Sequence, residues 1–387
     1  MFELNDVFSV GYLVSLIIFT GTYALFSLGL NLQWGFTGLI NFGHIAFMTV
    51  GAYTTVLLSL GKLPLILATL MGAGVAALLG LLIGFSTLRL REDYLAIVTI
   101  GVSEVVRLIA LNEEWLTRGS RGVYGYPLPL EGFRPTLFSK GVMIAIWSVI
   151  FAIAFWQLWQ WVSRKLKQHA RNPQATSERE DIPTERAIPI GKLVLAGIAA
   201  ILGVVLYAAG AVSLFNYDYK AGLMLVLVIV LALTFWRLEW LVRSPWGRVL
   251  KAVREDEEVA KALGKNVFWY KLQALMLGGA IAGLAGSFYA WNLSFINPDG
   301  FIPLITFQAW TIVVLGGAGN NVGTLLGATI FWVYNTLTRF VLPAIVPLDD
   351  ARLGAFRIMV IGLLLMILML WRPQGILGKK EELTLGR

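Results

Sequence analysis

The sequence predicts an all-α integral membrane protein, a polytopic helical bundle of about 11 apolar segments, some of them re-entrant half-helices, with one surface helix pair set between apolar blocks. Three observations predict this class. Of 387 residues, 57% are hydrophobic and only 14% charged, well below the roughly 25% charged residues of soluble domains. Apolar runs of about 20 residues recur along the chain, the length a helix needs to cross hydrocarbon. The 40 glycines suit helices that pack closely in lipid. The net charge of +8 is not a nucleic-acid footprint, because the basic residues cluster between spans, where they act as orientation signals. The chain reads as a single domain, 1–387, with an insert at 163–189 and the surface helix pair at 244–266.

The apolar segments are expected at 8–30, 36–58, 64–87, 94–111, 139–162, 190–213, 221–241, 269–291, 304–318, 323–343 and 354–371. The start, MFELNDVFSV, has no Lys or Arg before its first apolar run. It lacks the basic leader of a secretory signal, so the first span is expected to be retained. In the second segment, Gly38, Asn41 and His44 follow one another at i, i+3 steps. On a helix they would form a close-packed polar stripe, either packing helices together or placing Asn41 or His44 on a solute path. In the fourth, Glu104 and Arg107 share a face, and Thr99 and Ser103 lie on the same span. Charges in lipid pair or face water. The pair is therefore a structural ion pair or a border of the path. Single hydroxyls such as Thr99, Ser103 and Thr311 often bond back to their own helix. Gln308 joins them as a lesser path candidate.

The loop 112–138 holds Gly119, Gly122 and Gly125, which permit tight turns. It is expected to be a packed cap or a docking surface for an extracytoplasmic partner. The insert RKLKQHARNPQATSEREDIPTER mixes both charge signs with two prolines and reads as a flexible linker. His169 within it has no partner for metal binding.

In the stretch SPWGRVLKAVREDEEVAKALGKN, Ser244 suits an N-cap and Pro245 the first helical position. Trp246, Val249, Leu250 and Val253 fall on one helical face, with Arg248, Lys251 and Arg254 opposite. Asp256, Glu257 and Glu258 suit the positive end of a second helix, and Gly264 a stop. From these features alone the element is either a docking surface for a soluble partner or a charged loop resting on lipid headgroups. Further on, VVLGGAGNNVGTLLGA lacks the Lys of a phosphate-binding loop. Gly316, Gly317, Gly319, Asn320 and Asn321 instead mark a turn or gate, with irregular backbone that protein or water must satisfy.

Basic loops at 163–192 and 243–265 and the basic tail should all lie on the cytoplasmic side. Simple alternation satisfies all three, puts Arg89 and Arg91 there too, and leaves the N-terminus outside. With no cysteine, two histidines and no paired carboxylates in an apolar setting, no catalytic constellation is visible. The chain is expected to be no enzyme, to hold no metal or cofactor, and to leave any ATP hydrolysis to another subunit.

GFTGLINFGHIAFMTVGAY, LREDYLAIVTIGVSEVVRL and SPWGRVLKAVREDEEVAKALGKNV, followed by GLAGSFYA, VVLGGAGNNVGTLLGA and WRPQGILG, keep an order and spacing found together in one family. As a set they resemble the membrane subunit of branched-chain amino-acid ABC importers, of the larger, M type. The likeness covers nearly the whole chain apart from the 163–192 insert. It implies a bacterial inner-membrane permease, paired with a related permease, two cytoplasmic ATPase subunits and a periplasmic binding protein. It also implies that 244–266 is the coupling loop that docks on the ATPase. Its contact candidates would be Trp246, Arg248, Val249, Leu250 and Val253, then Arg254, Glu255, Ala260, Leu263 and Gly264. Where the family often has a glycine-rich turn after the fourth span, this chain reads LTRGSRG, with Arg118 and Arg121 added. These basic features look similar to cyanobacterial neutral amino-acid permeases. Related importers carry urea or short amides, but DYLAIVT at 93–99 looks more like the amino-acid branch. A rival of another class is an ion-coupled secondary transporter, for which Glu104 would be essential.

Overall fold

A computed structural model describes residues 9–89, 92–170, 190–345, 349–371 and 374–378. The chain is built of helices, introduced here in order: α1 (Val10–Leu30), α2 (Ile45–Leu60), α3 (Leu65–Thr87), α4 (Glu92–Asn112), a short α5 (Glu114–Thr117), α6 (Leu137–Ala170), α7 (Ile190–Asn216) and α8 (Tyr219–Arg243). Two short helices follow, α9 (Pro245–Glu255) and α10 (Glu257–Ala262), then α11 (Val267–Leu293), α12 (Pro303–Gly316), α13 (Asn321–Ile345) and α14 (Asp350–Trp371). Two-residue strands β1 (Val123–Tyr124) and β2 (Phe295–Ile296) pair antiparallel. Among the described residues, seven helices are long and apolar enough to cross a membrane. The all-α polytopic class therefore holds.

The second apolar segment differs from its expectation. Helix α2 starts only at Ile45, and residues 36–44 are irregular. Gly38 takes φ +80°, a left-handed conformation that interrupts a helix. The Asn41 side chain then accepts from the Gly43 N–H at 2.9 Å, closing a local turn. The i, i+3 stripe through Gly38, Asn41 and His44 is thus not a helical face. Upstream, α1 runs into a π-helical turn, Asn31–Gly35.

The chain divides into two compact units. One comprises Leu16–Glu131 with Val226 onward. Its centre is a three-helix contact of α2, α3 and α11. Glycines bring these backbones together: a Cβ at Gly51 would run into the backbone of Gly283, and one at Gly72 would lie 2.8 Å from the Gly51 carbonyl oxygen. Such close approach maximises dispersion contact where lipid tails offer no hydrophobic drive between helices. The hydroxyls of Thr55 and Ser287 bond across the same seam at 2.8 Å. On α3, Ile66, Leu70, Leu78 and Leu82 face outward, as the apolar exterior of a lipid-bathed helix does. The loop after α4 folds back onto this unit. β1 pairs with β2, and Tyr126 donates its hydroxyl to the Ala290 carbonyl at 2.6 Å.

The other unit holds Gly132–Leu225 and the start of α1. Here α6 and α7 pack around Trp147, which is fully buried and donates its indole N–H to the Tyr207 carbonyl at 3.1 Å. Gly210 leaves room for that ring. Helix α6 continues to Ala170, so residues 163–170 of the expected flexible linker are helical. The rest of the insert, 171–189, lies outside the described residues, as do Arg91 and the tail cations Arg372, Lys379, Lys380 and Arg387.

Candidate functional site

One group of polar contacts in the first unit lies around the helix pair α9–α10. Pro245 opens α9, where a missing N–H costs nothing. Ser244 stands at the N-cap position, but its hydroxyl turns back to the Leu241 carbonyl at 2.6 Å and caps no N–H of α9. Asp256 does cap α10, accepting from the N–H groups of Glu258 and Val259 at 2.9 and 3.0 Å. Gly264 ends the pair in the left-handed conformation, φ +74°.

The amphipathic face of the pair turns inward. Leu250 enters a cluster with Leu28, Leu32, Phe36, Leu238, Val242 and Ala274. Val253 and Ala260 cluster with Val267, and Val249 packs beside them. Trp246 is half-buried and donates its indole N–H to Gln273 Oε1 at 2.6 Å. The apolar stripe that the sequence offers as a docking face is therefore mostly the pair's own anchorage. Leu250, Val253 and Ala260 are buried in this chain and cannot touch a partner directly. Arg248, Glu255, Leu263 and Gly264 remain exposed, and Val249 and Arg254 partly so.

Charge fixes the pair as well. Lys271, near the start of α11, is buried and ion-paired to Glu257. Lys261 reaches the same carboxylate at 3.2 Å. Burial alone would raise the Glu257 carboxyl, but hydrogen bonds and charges from Lys271 and Lys261 outweigh it and hold the group below the ordinary carboxylate value. Arg254 donates from Nη1 to the Gly35 carbonyl, and Gly38 lies against the Arg254 backbone. The Lys251 ammonium sits 5.8 Å over the Phe36 ring.

The π-turn above these contacts is a polar node that sequence reasoning missed. Asn31 and Gln33 are fully buried. Asn31 accepts from the Gly319 N–H at 2.9 Å and donates to Asn321 Oδ1 at 3.1 Å. Asn321 in turn donates to Glu239 Oε2 on α8 at 3.1 Å. Gln33 donates to the Leu275 carbonyl at 3.0 Å and accepts from Asn41 at 2.9 Å. Inside an apparent apolar run, isolated amides were the only signal for it.

The expected turn at 316–321 is present. Helix α12 stops at Gly316 and α13 starts at Asn321; Gly317 and Gly319 adopt φ +111° and +77°. A segment after α14 closes over it. Ile376 and Leu377 donate to the carbonyls of Leu315 and Gly316, both at 3.0 Å, while Asn320 donates to the Leu377 carbonyl at 2.9 Å. The helix pair, the π-turn, the glycine turn and residues 374–378 thus meet at one end of the unit. Phe85 contacts Phe268 at 5.5 Å, which brings the Arg89 end of α3 there too.

Most of the path candidates are bonded within the chain. Asn41 is locked by Gln33 and the Gly43 N–H, and its carbonyl accepts the Trp310 indole N–H at 3.0 Å. His44 is fully buried, 3.1 Å from the Phe26 carbonyl, with its ring tilted against that of Phe26. Thr99 donates to Ala96 and accepts the Phe42 N–H; Ser103 and Thr311 bond back to Ile100 and Phe307. Gln308 is half-buried. Glu104 and Arg107 do pair, at 3.1 Å from Nε to each oxygen, and Arg107 also reaches Asp299 at 3.4 Å. Asp299 lies just after β2, so this triad sits at the end of α11 remote from the helix pair.

The profile of the family described as "Branched-chain amino acid transport system / permease component" matches residues 12–369. The chain belongs to that family. The permease protein LivM of the high-affinity branched-chain amino acid transport system of Escherichia coli K12 is 31% identical over 372 residues, 94% of this chain and 69% of the relative. LivM of Salmonella typhimurium is 30% identical over 376 residues, with the same coverage. LivH of Salmonella typhimurium is 25% identical over 373 residues, 93% of this chain and 92% of that protein. No solved structure matches the chain. The matched span of the family takes in both the helix pair and the glycine turn.

Proposed function

We propose that this chain is the permease subunit of an ATP-driven importer for hydrophobic and neutral amino acids. It works beside a second, related permease, two cytoplasmic ATPase subunits and a periplasmic binding protein. The observation that carries this reading is the family match over residues 12–369, which runs through the helix pair. Relatives bearing both the M and the H names match the chain, which supports a two-permease assembly. The exposed side of α9–α10, with Arg248, Glu255, Leu263 and Gly264, suits an ATPase groove. The buried side suits force transfer, since the pair cannot move without dragging the helices it is packed into.

ATP-driven closure of the ATPase dimer pushes the helix pair, and the permeases open outward to take the solute. Hydrolysis then resets them inward. Each step requires a partner with different affinity for the two states. The solute path lies between the two permeases, lined by small and weakly polar groups, because a neutral solute needs no counter-charge. Glu104 and Arg107, tied to each other and to Asp299, serve structure in this scheme.

The test is uptake by the assembled complex in proteoliposomes. Labelled leucine and alanine are taken up and urea is not. A substitution in the phosphate-binding lysine of the ATPase abolishes the uptake. Import of urea alone assigns the machine to the amide branch, and uptake that survives the ATPase lesion and follows an ion gradient overturns the ATP-driven reading.

A further inference from the structure

Three separate elements converge on the π-helical turn Asn31–Gly35. From below, Arg254 of α9 donates to the Gly35 carbonyl. To one side, Asn31 holds the glycine turn through the Gly319 N–H and Asn321, which is itself bonded to Glu239. To the other side, Gln33 holds the α11 backbone at Leu275 and the Asn41 loop. Gly35 is required for this closeness: a Cβ there would run into Asn31 Oδ1 and lie 2.5 Å from the Gly319 nitrogen. A π-turn costs helix stability and persists where the surroundings over-determine it, often at functional positions. Two fully buried amides in a membrane helix are likewise costly unless their bonds are complete. Here these side-chain bonds of Asn31 and Gln33 all leave the first span for another element.

We propose that the π-turn is the rigid relay between the helix pair and the glycine turn, and that Asn31 and Gln33 are its positioning residues. This rests on the reading that α9–α10 dock on an ATPase. Force entering at Arg254 reaches Gly35 through the Arg254–Gly35 hydrogen bond, crosses the turn, and leaves at Gly319 and Asn321. The relay therefore moves the junction of α12 and α13 in step with the helix pair. Neither residue touches solute or the ATPase.

The chain has no cysteine, so thiol probes report only where they are placed. The full complex, with ATPase and binding protein in liposomes, is built with Leu263→Cys in the permease, either alone or combined with Asn31→Leu. Three quantities are read: cross-linking of position 263 to the ATPase, ATP hydrolysis, and solute imported per ATP. In the N31L complex the cross-link and hydrolysis persist, while solute imported per ATP falls roughly tenfold, the size expected when one buried bonded amide is cut. In an Asn31→Cys, Asn321→Cys pair, a short bifunctional thiol reagent restores the ratio lost on substitution. An unchanged ratio in N31L overturns the relay and leaves docking intact. Failure of Leu263→Cys to cross-link in the otherwise unaltered permease overturns docking instead. A second measurement leaves the node untouched. Spin labels at the exposed positions Ala252→Cys and Val322→Cys keep their separation to within about 2 Å through the nucleotide cycle if the relay is rigid, the scale of small helix shifts. A larger change overturns it.

Discussion

Glu257→Gln removes the carboxylate that faces Lys271 and leaves the ammonium in place. The Lys271 side chain is 10% exposed and that of Glu257 is 35% exposed. Breaking a fully buried ion pair by deleting one partner costs about 3–5 kcal/mol. Water reaches the Glu257 side here, which discounts the loss to about 2 kcal/mol. The loss falls on the attachment of α10 to α11, because that is where the pair sits. Local opening of residues 257–262 should therefore become roughly 30-fold more frequent. Amide hydrogen exchange in detergent or nanodiscs, read by mass spectrometry on peptides spanning 244–266, measures it directly. Lys271→Met should cost less, about 1 kcal/mol, because Glu257 keeps Lys261 at 3.2 Å and some water. The double variant should sit near the unaltered protein, since removing both charges leaves no unpaired ion. Unchanged exchange in E257Q, or a double variant as labile as E257Q, would refute the assignment of this pair as the clamp. The pH dependence has a fixed sign. The native carboxyl is held below its ordinary 4.5, so its contribution is full above that value. It ebbs as pH falls below 4.5 and is gone once pH has passed the depressed native value. Protection of 257–262, corrected for intrinsic exchange, should follow that course and vanish from the pH profile in E257Q.

Other outcomes follow from the same contacts. Gly51→Val should prevent α2 and α11 from closing and abolish a monodisperse folded permease on size exclusion, whereas Gly101→Ala, with open space around it, should leave elution unchanged. Leu263→Asp should uncouple hydrolysis from uptake at normal membrane levels, because Leu263 is 72% exposed. Trp246→Asp should instead lower the amount of folded protein, since it breaks the bond to Gln273 and the packing around Leu250. Ending the chain after Trp371 should expose the amides of 316–321 to exchange by roughly tenfold, through loss of the Ile376 and Leu377 bonds.

The helix pair was legible because its determinants are local. Pro245 at the start, Asp256 before two glutamates and Gly264 at the end each act within four residues, although Ser244 does not cap. What the sequence could not reveal was direction. The stripe through Trp246, Val249, Leu250 and Val253 reads the same whether it meets this chain or another, and here it meets α1, α8 and α11. The second span was misread from Gly38 to His44 because one left-handed glycine and one Asn turn look like helical spacing until the backbone is seen. The ion pair Glu104–Arg107 was legible at i, i+3, but its third member, Asp299, is 192 residues away. The π-turn was invisible for the same reason: Asn31 and Gln33 gain meaning only from Gly319, Asn321, Leu275 and Asn41.

Side-specific labelling of a single Leu263→Cys probes the account at its root. In inside-out vesicles a membrane-impermeant maleimide should label this position quickly, and adding the ATPase subunits should shield it. Labelling from the external face of intact cells, or labelling from within that the ATPase leaves untouched, would contradict it.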